Sequence, residues 1–393
     1  MRIATDINEL WPFLLMVCDV CLATAILGCV LNVIESALVL GFPGGETKHS
    51  ANQPAVTVLK PLHGVEPELP DRLAAFCQQD YAGAVQLLCG TQDPAAPAAP
   101  VVREIKAAFP NTAVEFAVDA RSHGTNRKVS NLINMLPRAR HETFVLSDSD
   151  IEVSPDYLRA VTAQLASPRV GAVTCLYHGV GGETLWARLS ALAINAHFLP
   201  HAIMAVRLSL ATPCCGATIA MRRSTLDRIG GLGLLADVLA DDRAVGVAVR
   251  SAGYDVVTAP VVVGHRCFET SLRQLVQQQL RVARTIKSID PLGYAGTIVT
   301  HPWPFALIAL ISGGTDAAMV AIAVLLARVM PCRSVERRFG LPRQNYSLIP
   351  LQDIIAFAVY VASFFAATVH WRGADYRLAA DGTLVVAQNE HRL

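Results

Sequence analysis

Two kinds of segment share this chain of 393 residues, and only one of them suits water. From Trp11 to about Leu40 the sequence is almost continuously apolar, with strongly polar residues only at Asp19, Asn32 and Glu35. Roughly 20 apolar residues cross a bilayer core as a helix, so this run is long enough to span one. It is too long for the apolar part of a cleaved leader, and Arg2 is the one basic residue ahead of it. Two more apolar runs come late, His301 to Met330 and Ile349 to Trp371. Gly313-Gly314 and Asp316 interrupt the former, which reads as one tilted span or as a re-entrant hairpin of two short arms. Arg333, Arg337, Arg338 and Arg343 separate the two runs and prefer the cytoplasmic side, which favours the hairpin, whereas Arg372 and Arg377 pull the other way. Asp6 and Glu9 precede the first run, and Lys48 and Lys60 follow it, which puts the next domain in the cytoplasm. The expected organisation is an anchor at 1–45, a globular region at 53–290, membrane segments at 300–371 and a polar tail at 372–393.

Composition narrows the class. The chain is 52% hydrophobic and 17% charged, against about 25% charged in ordinary soluble domains. A net charge of +1 gives no sign of a nucleic-acid partner. The 10 cysteines contain no repeated C-x-x-C pair, which argues against a disulfide framework and a zinc site and fits a reducing compartment. Cys214 and Cys215 read as small core residues.

The region from Gln53 to Ile289 alternates strand-length apolar runs with helical patterns. Val56–Leu59, Val85–Leu88, Val114–Val118 and Thr143–Leu146 are the strands. Between them, Val101, Ile105 and Ala108 share one helix face, and Val129, Leu132, Ile133 and Leu136 another. A third helix opens at Pro155 with Ser154 as cap, and carries Leu158, Val161 and Leu165. Such alternation predicts an α/β fold with a mostly parallel sheet, whose ligands bind at the carboxyl ends of the strands. Lys60 and Pro61, then Asp93, then Asp148 and Asp150 all fall there. Asp148-Ser149-Asp150 follows a buried strand, and two carboxylates one residue apart suit Mg²⁺ or Mn²⁺, which hold phosphates from the other side. Read alone, Asp93 before Pro94 is a turn residue, and Asp148 and Asp150 cap a helix.

Several motifs stand in a fixed order: Val58-Leu59-Lys60-Pro61-Leu62-His63-Gly64-Val65, Gln92-Asp93, Asn126-Arg127-Lys128-Val129-Ser130-Asn131-Leu132, Asp148-Ser149-Asp150, Ala240-Asp241-Asp242, Gln278-x-x-Arg281, and Trp371-Arg372-Gly373-x-x-Tyr376-Arg377-Leu378. Together they resemble the ceramide glucosyltransferase family and its bacterial relatives in hopanoid biosynthesis, over nearly the whole chain. The resemblance implies a membrane-bound, inverting enzyme with a GT-A nucleotide-sugar fold. It implies a UDP-sugar donor, a divalent metal, Mg or Mn, and a lipid acceptor in the bilayer. It also implies a multi-pass protein of the bacterial inner membrane with its catalytic domain in the cytoplasm.

The resemblance assigns residue roles as well. Asp93 holds the uridine, Asp148 and Asp150 the metal and diphosphate, Lys60, Pro61 and Lys128 the nucleotide, and Gln278 and Arg281 the acceptor pocket and diphosphate. Asp242 is the catalytic base, with Asp241 beside it; side chains adjacent on a helix point about 100° apart, so one of them faces the sugar. Val282 stands where many relatives carry Trp. Arg284 and Lys287 read as a basic stripe along lipid headgroups. His197 and His201 lie in the apolar stretch Leu185 to Leu210, which the resemblance puts at the membrane surface near the acceptor. Glucose and N-acetylglucosamine stay open as the sugar, hopanoid and ceramide as the lipid, and no motif specifies an oligomeric state. The rival readings are a processive polysaccharide synthase and a non-catalytic membrane protein that binds sugar nucleotides.

Overall fold

The computed structural model describes residues 2–43, 53–365, 368–371, 374–378 and 384–386. Lys48, Arg372 and Gly373 of the sequence motifs, and most of the tail, lie outside them. The strands of the globular part are β1 (Val56–Pro61), β2 (Val85–Thr91), β3 (Ala113–Val118), β4 (Thr143–Leu146), β5 (Ile151–Glu152), β6 (Val170–Val180), β7 (Ile219–Arg222) and β8 (Asp255–Arg266). They form an 8-stranded sheet in the order β3-β2-β1-β4-β7-β6-β8-β5. All run in one direction except β5 and β7. Three short strands, Thr368–Trp371, Ala374–Leu378 and Leu384–Val386, make a separate antiparallel sheet.

The period of two along each strand builds the core. Val58, Leu87 and Val145 enter the cluster on one face, with Leu73, Phe76 and Tyr157. Their neighbours Leu59, Leu88 and Phe144 enter the other, with Leu132, Met135 and Val245. The helices at Arg127–Met135 and Tyr157–Gln164 bury the faces expected for them. In the Ala99–Ala108 helix the buried pair is Val102 and Ile105, so the core stripe is turned by one residue from the expected Val101 face. Ser154 does not cap the next helix: its hydroxyl donates to Asp156 at 2.5 Å, and Asp156 occupies the cap.

Common strand direction puts one chemistry-rich edge on the sheet. The carboxyl ends of β1, β2, β4, β6 and β8 meet there. Antiparallel β7 enters from that edge, with Leu146 opposite Ile219, so the residues just before β7 lie beside those just after β4.

Among the described residues, three helices are long and apolar enough to cross a membrane: Pro12–Leu40, Leu185–Arg207 and Thr315–Phe339. The late apolar run breaks where the glycines stand, with Gly313 at φ +69°. The arms on either side fold back on each other. Ala309 and Ala317, nearest the break, pack with Cys21, while Ala306 packs with Ala321, Val324 and Ala25 farther from it. The two helices form a hairpin of unequal arms: Pro302–Ala309 is short, but Thr315–Phe339 has 25 residues and is long enough to cross on its own, unlike the two short arms expected. The other expected span ends early: its helix covers only Ile349–Ala362, 14 residues, and Thr368–Trp371 is strand. The helix end is held by long-range bonds, since Lys287 donates to the Ser363 carbonyl and Tyr294 bonds the Ser363 hydroxyl at 3.0 Å.

Candidate active site

Two buried cations shape the loop between β4 and β5. Lys60, near the end of β1, is fully buried. Its ammonium donates to the Asp148 carbonyl, to the Ser147 hydroxyl at 3.3 Å and to the Ile151 carbonyl at 3.4 Å. Arg72, from the Leu69–Cys77 helix, donates to the Ser149 carbonyl at 2.8 Å and to Glu66 at 3.1 Å. Glu66 accepts from the Ser149 hydroxyl at 2.7 Å. Lys60 is therefore committed to the loop that carries the aspartates, not to the open edge. Burial draws its ammonium down to about 8, against the opposing pull of Asp150 and Asp148.

Lys128 gathers the acids. It lies in the first turn of the Arg127–Met135 helix, behind the N-cap Asn126, whose side chain accepts from Val129 N–H at 3.2 Å. Its ammonium is 2.8 Å from Asp148 and 3.4 Å from Asp241. A cation at a helix N-terminus opposes the helix dipole, and these acids offset that conflict. Burial alone would depress the lysine, but Asp148, Asp241 and Asp242 reverse the effect and hold it well above its ordinary value. Asn126 also donates to the Val238 carbonyl at 2.7 Å, tying the lysine's segment to the approach of the Asp241–Ser251 helix.

Asp241 and Asp242 open that helix, where negative charge suits the dipole. They divide their contacts. Asp241 turns to Lys128 and Asn126, while Asp242 accepts from Gly216 N–H at 2.9 Å and Arg243 N–H at 2.7 Å. A methyl group on Gly216 would lie 3.0 Å from the Lys128 ammonium, 3.3 Å from Asp148 and 3.4 Å from Asp242. Gly216 thus marks the middle of the cluster. Burial, and then Asp241, lift the Asp242 carboxyl above the usual range, with Lys128 and the two N–H groups opposing. Burial lifts Asp148 as well, against Lys128.

Asp150 faces His265 of β8, with 3.5 Å between Oδ2 and Nδ1. Burial would raise this carboxyl, but His265, Lys60 and Lys128 outweigh it and hold the group at about 2. Its Oδ1 is buried and has no hydrogen-bond partner among the described residues. A buried anionic oxygen without a donor is a place for a cation. No three His, Cys, Asp or Glu side chains among the described residues form a metal cage, so further ligands would come from outside the protein. The sequence reading missed His265 and its neighbour Tyr177 of β6, whose rings are 5.5 Å apart. Their signal was a polar or aromatic residue at the carboxyl end of a long β-branched run.

Arg281, on the Leu272–Ile289 helix, donates to Gln278 one turn earlier at 3.1 and 3.3 Å. Burial lowers the guanidinium's pKa, and Tyr177, Asp242, Asp148 and Asp150 oppose that, so it lies within Coulombic reach of the whole cluster. Val282 is exposed. Pro61 ends β1 opposite Gly90. Asp93 is exposed beyond β2, and its carboxylate accepts from Ala95 N–H at 2.9 Å in a local turn, outside the Lys128 cluster. Cys214 and Cys215 are buried in separate core clusters, as free thiols.

The model of glycosyl transferase family 21 matches residues 20–384. Ceramide glucosyltransferase 1 of Caenorhabditis elegans is 27% identical over 205 residues, 51% of this chain and 43% of that protein. Ceramide glucosyltransferase of Gibberella zeae is 28% identical over 177 residues, 40% of this chain and 34% of the relative. These two matches span less than half of the relatives' lengths. Ceramide glucosyltransferase 3 of C. elegans is 22% identical over 365 residues, 86% of this chain and 76% of that protein. Among solved structures, a mannosyltransferase from Pyrobaculum calidifontis in complex with GDP-Man and Mn2+ superposes with TM-score 0.51 at 21% identity, covering 90% of this chain and 99% of its own. The shared fold is of the GT-A type. The family match runs from the first membrane helix to the last described strand, and the chain belongs to glycosyl transferase family 21.

Proposed function

We propose that this chain is a membrane-bound, inverting glycosyltransferase. It moves glucose or N-acetylglucosamine from a UDP donor to a hydroxyl of a membrane lipid. The acceptor is a hopanoid polyol or a ceramide, with the hopanoid favoured by the bacterial character of the motifs, and the enzyme works from the cytoplasmic face of a bacterial inner membrane. One observation carries the reading: Asp148, Asp241 and Asp242, from segments far apart in sequence, converge on Lys128 around Gly216.

The chemistry follows from the side chains. Asp148 and the unpartnered oxygen of Asp150 would hold Mg²⁺ or Mn²⁺, with the remaining ligands from the diphosphate and water; the ion supplies charge neutralisation for the leaving UDP. Lys128 and Arg281 add fixed positive charge on the diphosphate side. Asp93 and Pro61 border the nucleotide, and Gln278 orients Arg281. Asp242, its basicity raised by burial, takes the proton of the acceptor hydroxyl. The oxygen forms its bond to the anomeric carbon as the bond to UDP breaks on the opposite face, which inverts the centre. Gly216 leaves room for the sugar at the meeting point.

The test is lipid mass spectrometry of a host expressing the chain with supplied hopanoid and ceramide. A hexose or N-acetylhexosamine adduct on either lipid supports the proposal, and long polymer in its place overturns it. Asp242→Asn should lower turnover 10²–10⁴-fold, the usual span for a general base, with UDP affinity kept. Unchanged turnover removes the residue from this role.

A further inference from the structure

Between the Gly216 turn and His265 lies one aromatic side chain that the proposed mechanism leaves without a task. Tyr177 stands at the carboxyl end of β6, in register with Val263 of β8. Side chains two apart on a strand share a face, so Tyr177 also meets His265, and their ring centroids are 5.5 Å apart. Earlier on β6, Thr174 holds the turn that precedes β7. Its hydroxyl accepts from Cys215 N–H at 2.8 Å and donates to the Cys215 carbonyl at 3.2 Å. Tyr177 packs against the cluster that contains Cys215, the neighbour of Gly216. It therefore sits between the turn at the centre of the acids and the histidine that faces Asp150.

The ring is fixed, but the side chain is not sealed. Phe198 stacks on it at 4.7 Å with 25° between the planes, and His265 stands at a second side. Tyr177 is still only half-buried, at the edge where the carboxyl ends of the strands open. Its phenol lies among the charged groups of the site. Burial, then Cys215 and Asp242, hold it above its ordinary range while Arg281 opposes, so it remains a hydrogen-bond donor. Tyr177 in turn acts on Arg281 more strongly than Asp242 does. In the proposed reaction, Asp242 faces the incoming hydroxyl and Arg281 the diphosphate. The group that spans from one to the other is the sugar ring. A neutral donor suits it, because a pyranose offers hydroxyl oxygens and no charge.

We propose that Tyr177 contacts the transferred sugar: its hydroxyl donates to one sugar hydroxyl and holds the anomeric carbon in line between Asp242 and the leaving diphosphate. The inference rests on the transferase reading above and adds a donor-specificity contact to it. It is tested with the full-length protein in nanodiscs, as wild type and as Tyr177→Phe, which keeps the ring stack and removes only the hydroxyl. The probes are UDP, UDP-glucose, UDP-N-acetylglucosamine and monodeoxy analogues that each lack one sugar hydroxyl. Binding is read by titration calorimetry, transfer to ceramide or a hopanoid polyol by product formation, and stability by thermal unfolding.

The two proteins should melt together and bind UDP alike, since the stack and the nucleotide contacts are unchanged. On the accepted UDP-sugar, Tyr177→Phe should lose roughly tenfold in kcat/KM, the loss expected for one hydrogen bond. One deoxy analogue should cost the wild type that same factor and cost the variant nothing more, because the contact is already gone. Equal losses in both proteins on every analogue, or no loss in the variant on the full sugar, overturn the contact and leave the transferase standing. The same coupling seen in UDP-sugar binding, without transfer by the wild type, keeps the contact and removes the transferase. No binding of either UDP-sugar by the wild type removes both.

Discussion

Lys128 sets the charge balance of the cluster, and its removal has a signed consequence. As the proposed base, Asp242 must be ionised to accept a proton. Its carboxyl lies above the ordinary aspartate value of about 3.9, so kcat/KM should fall with decreasing pH through a limb above that value. Lys128 lowers that carboxyl, so Lys128→Met should move the acid limb to higher pH; a limb that stays in place separates the lysine from the base. Gly216→Ala tests the crowding directly. Its new methyl group meets the flexible end of Lys128, so unfolding temperature should change little while kcat drops about tenfold or more. Asp148 and Asp150 were legible because a polar run that ends an apolar strand falls at the sheet's ligand edge, whereas Lys128, Asp241 and Asp242 were picked out by the family resemblance. The inward turn of Lys60 was not legible, since its partners are two carbonyls and a hydroxyl of a loop more than eighty residues later. Asp93 accepts from Ala95 N–H in the local turn that its neighbour Pro94 suggested, next to its proposed place at the nucleotide.

At the scale of elements, the membrane helices are joined by the Arg328–Asp353 pair, buried on both sides. Asp353→Ala should cost about 3–5 kcal/mol, because it leaves a buried guanidinium without its anion. The double replacement Arg328→Met with Asp353→Leu should recover most of that loss in a thermal double-mutant cycle. A single loss no larger than that of an exposed pair would show that the bundle admits water there. The Gly313-Gly314 break was readable because a left-handed residue ends a helix wherever it stands. The early stop at Ala362 was not, since Lys287 and Tyr294 impose it from an earlier helix. Hydropathy continued to Trp371 while the backbone had already left the helix.

Across the whole molecule, one apolar cluster joins residues from both sides of the boundary expected between the globular and membrane parts. Val39 of the first helix, Phe42 just beyond it, Leu199 and Ile203, Val335, and Leu176 of β6 share one cluster. A fragment of residues 53–290 loses the partners of that cluster, so on its own it should express as insoluble or detergent-dependent material. A soluble, monomeric fragment that binds UDP as the full chain does would show the two parts to be independent. The loop held by Lys60 and Arg72 has a separate consequence. Interior tethers on successive carbonyls fix where its aspartates stand before any substrate arrives, so the ordering entropy is met during synthesis and folding. A donor then meets acids already in place, and none of its binding energy is spent on positioning them.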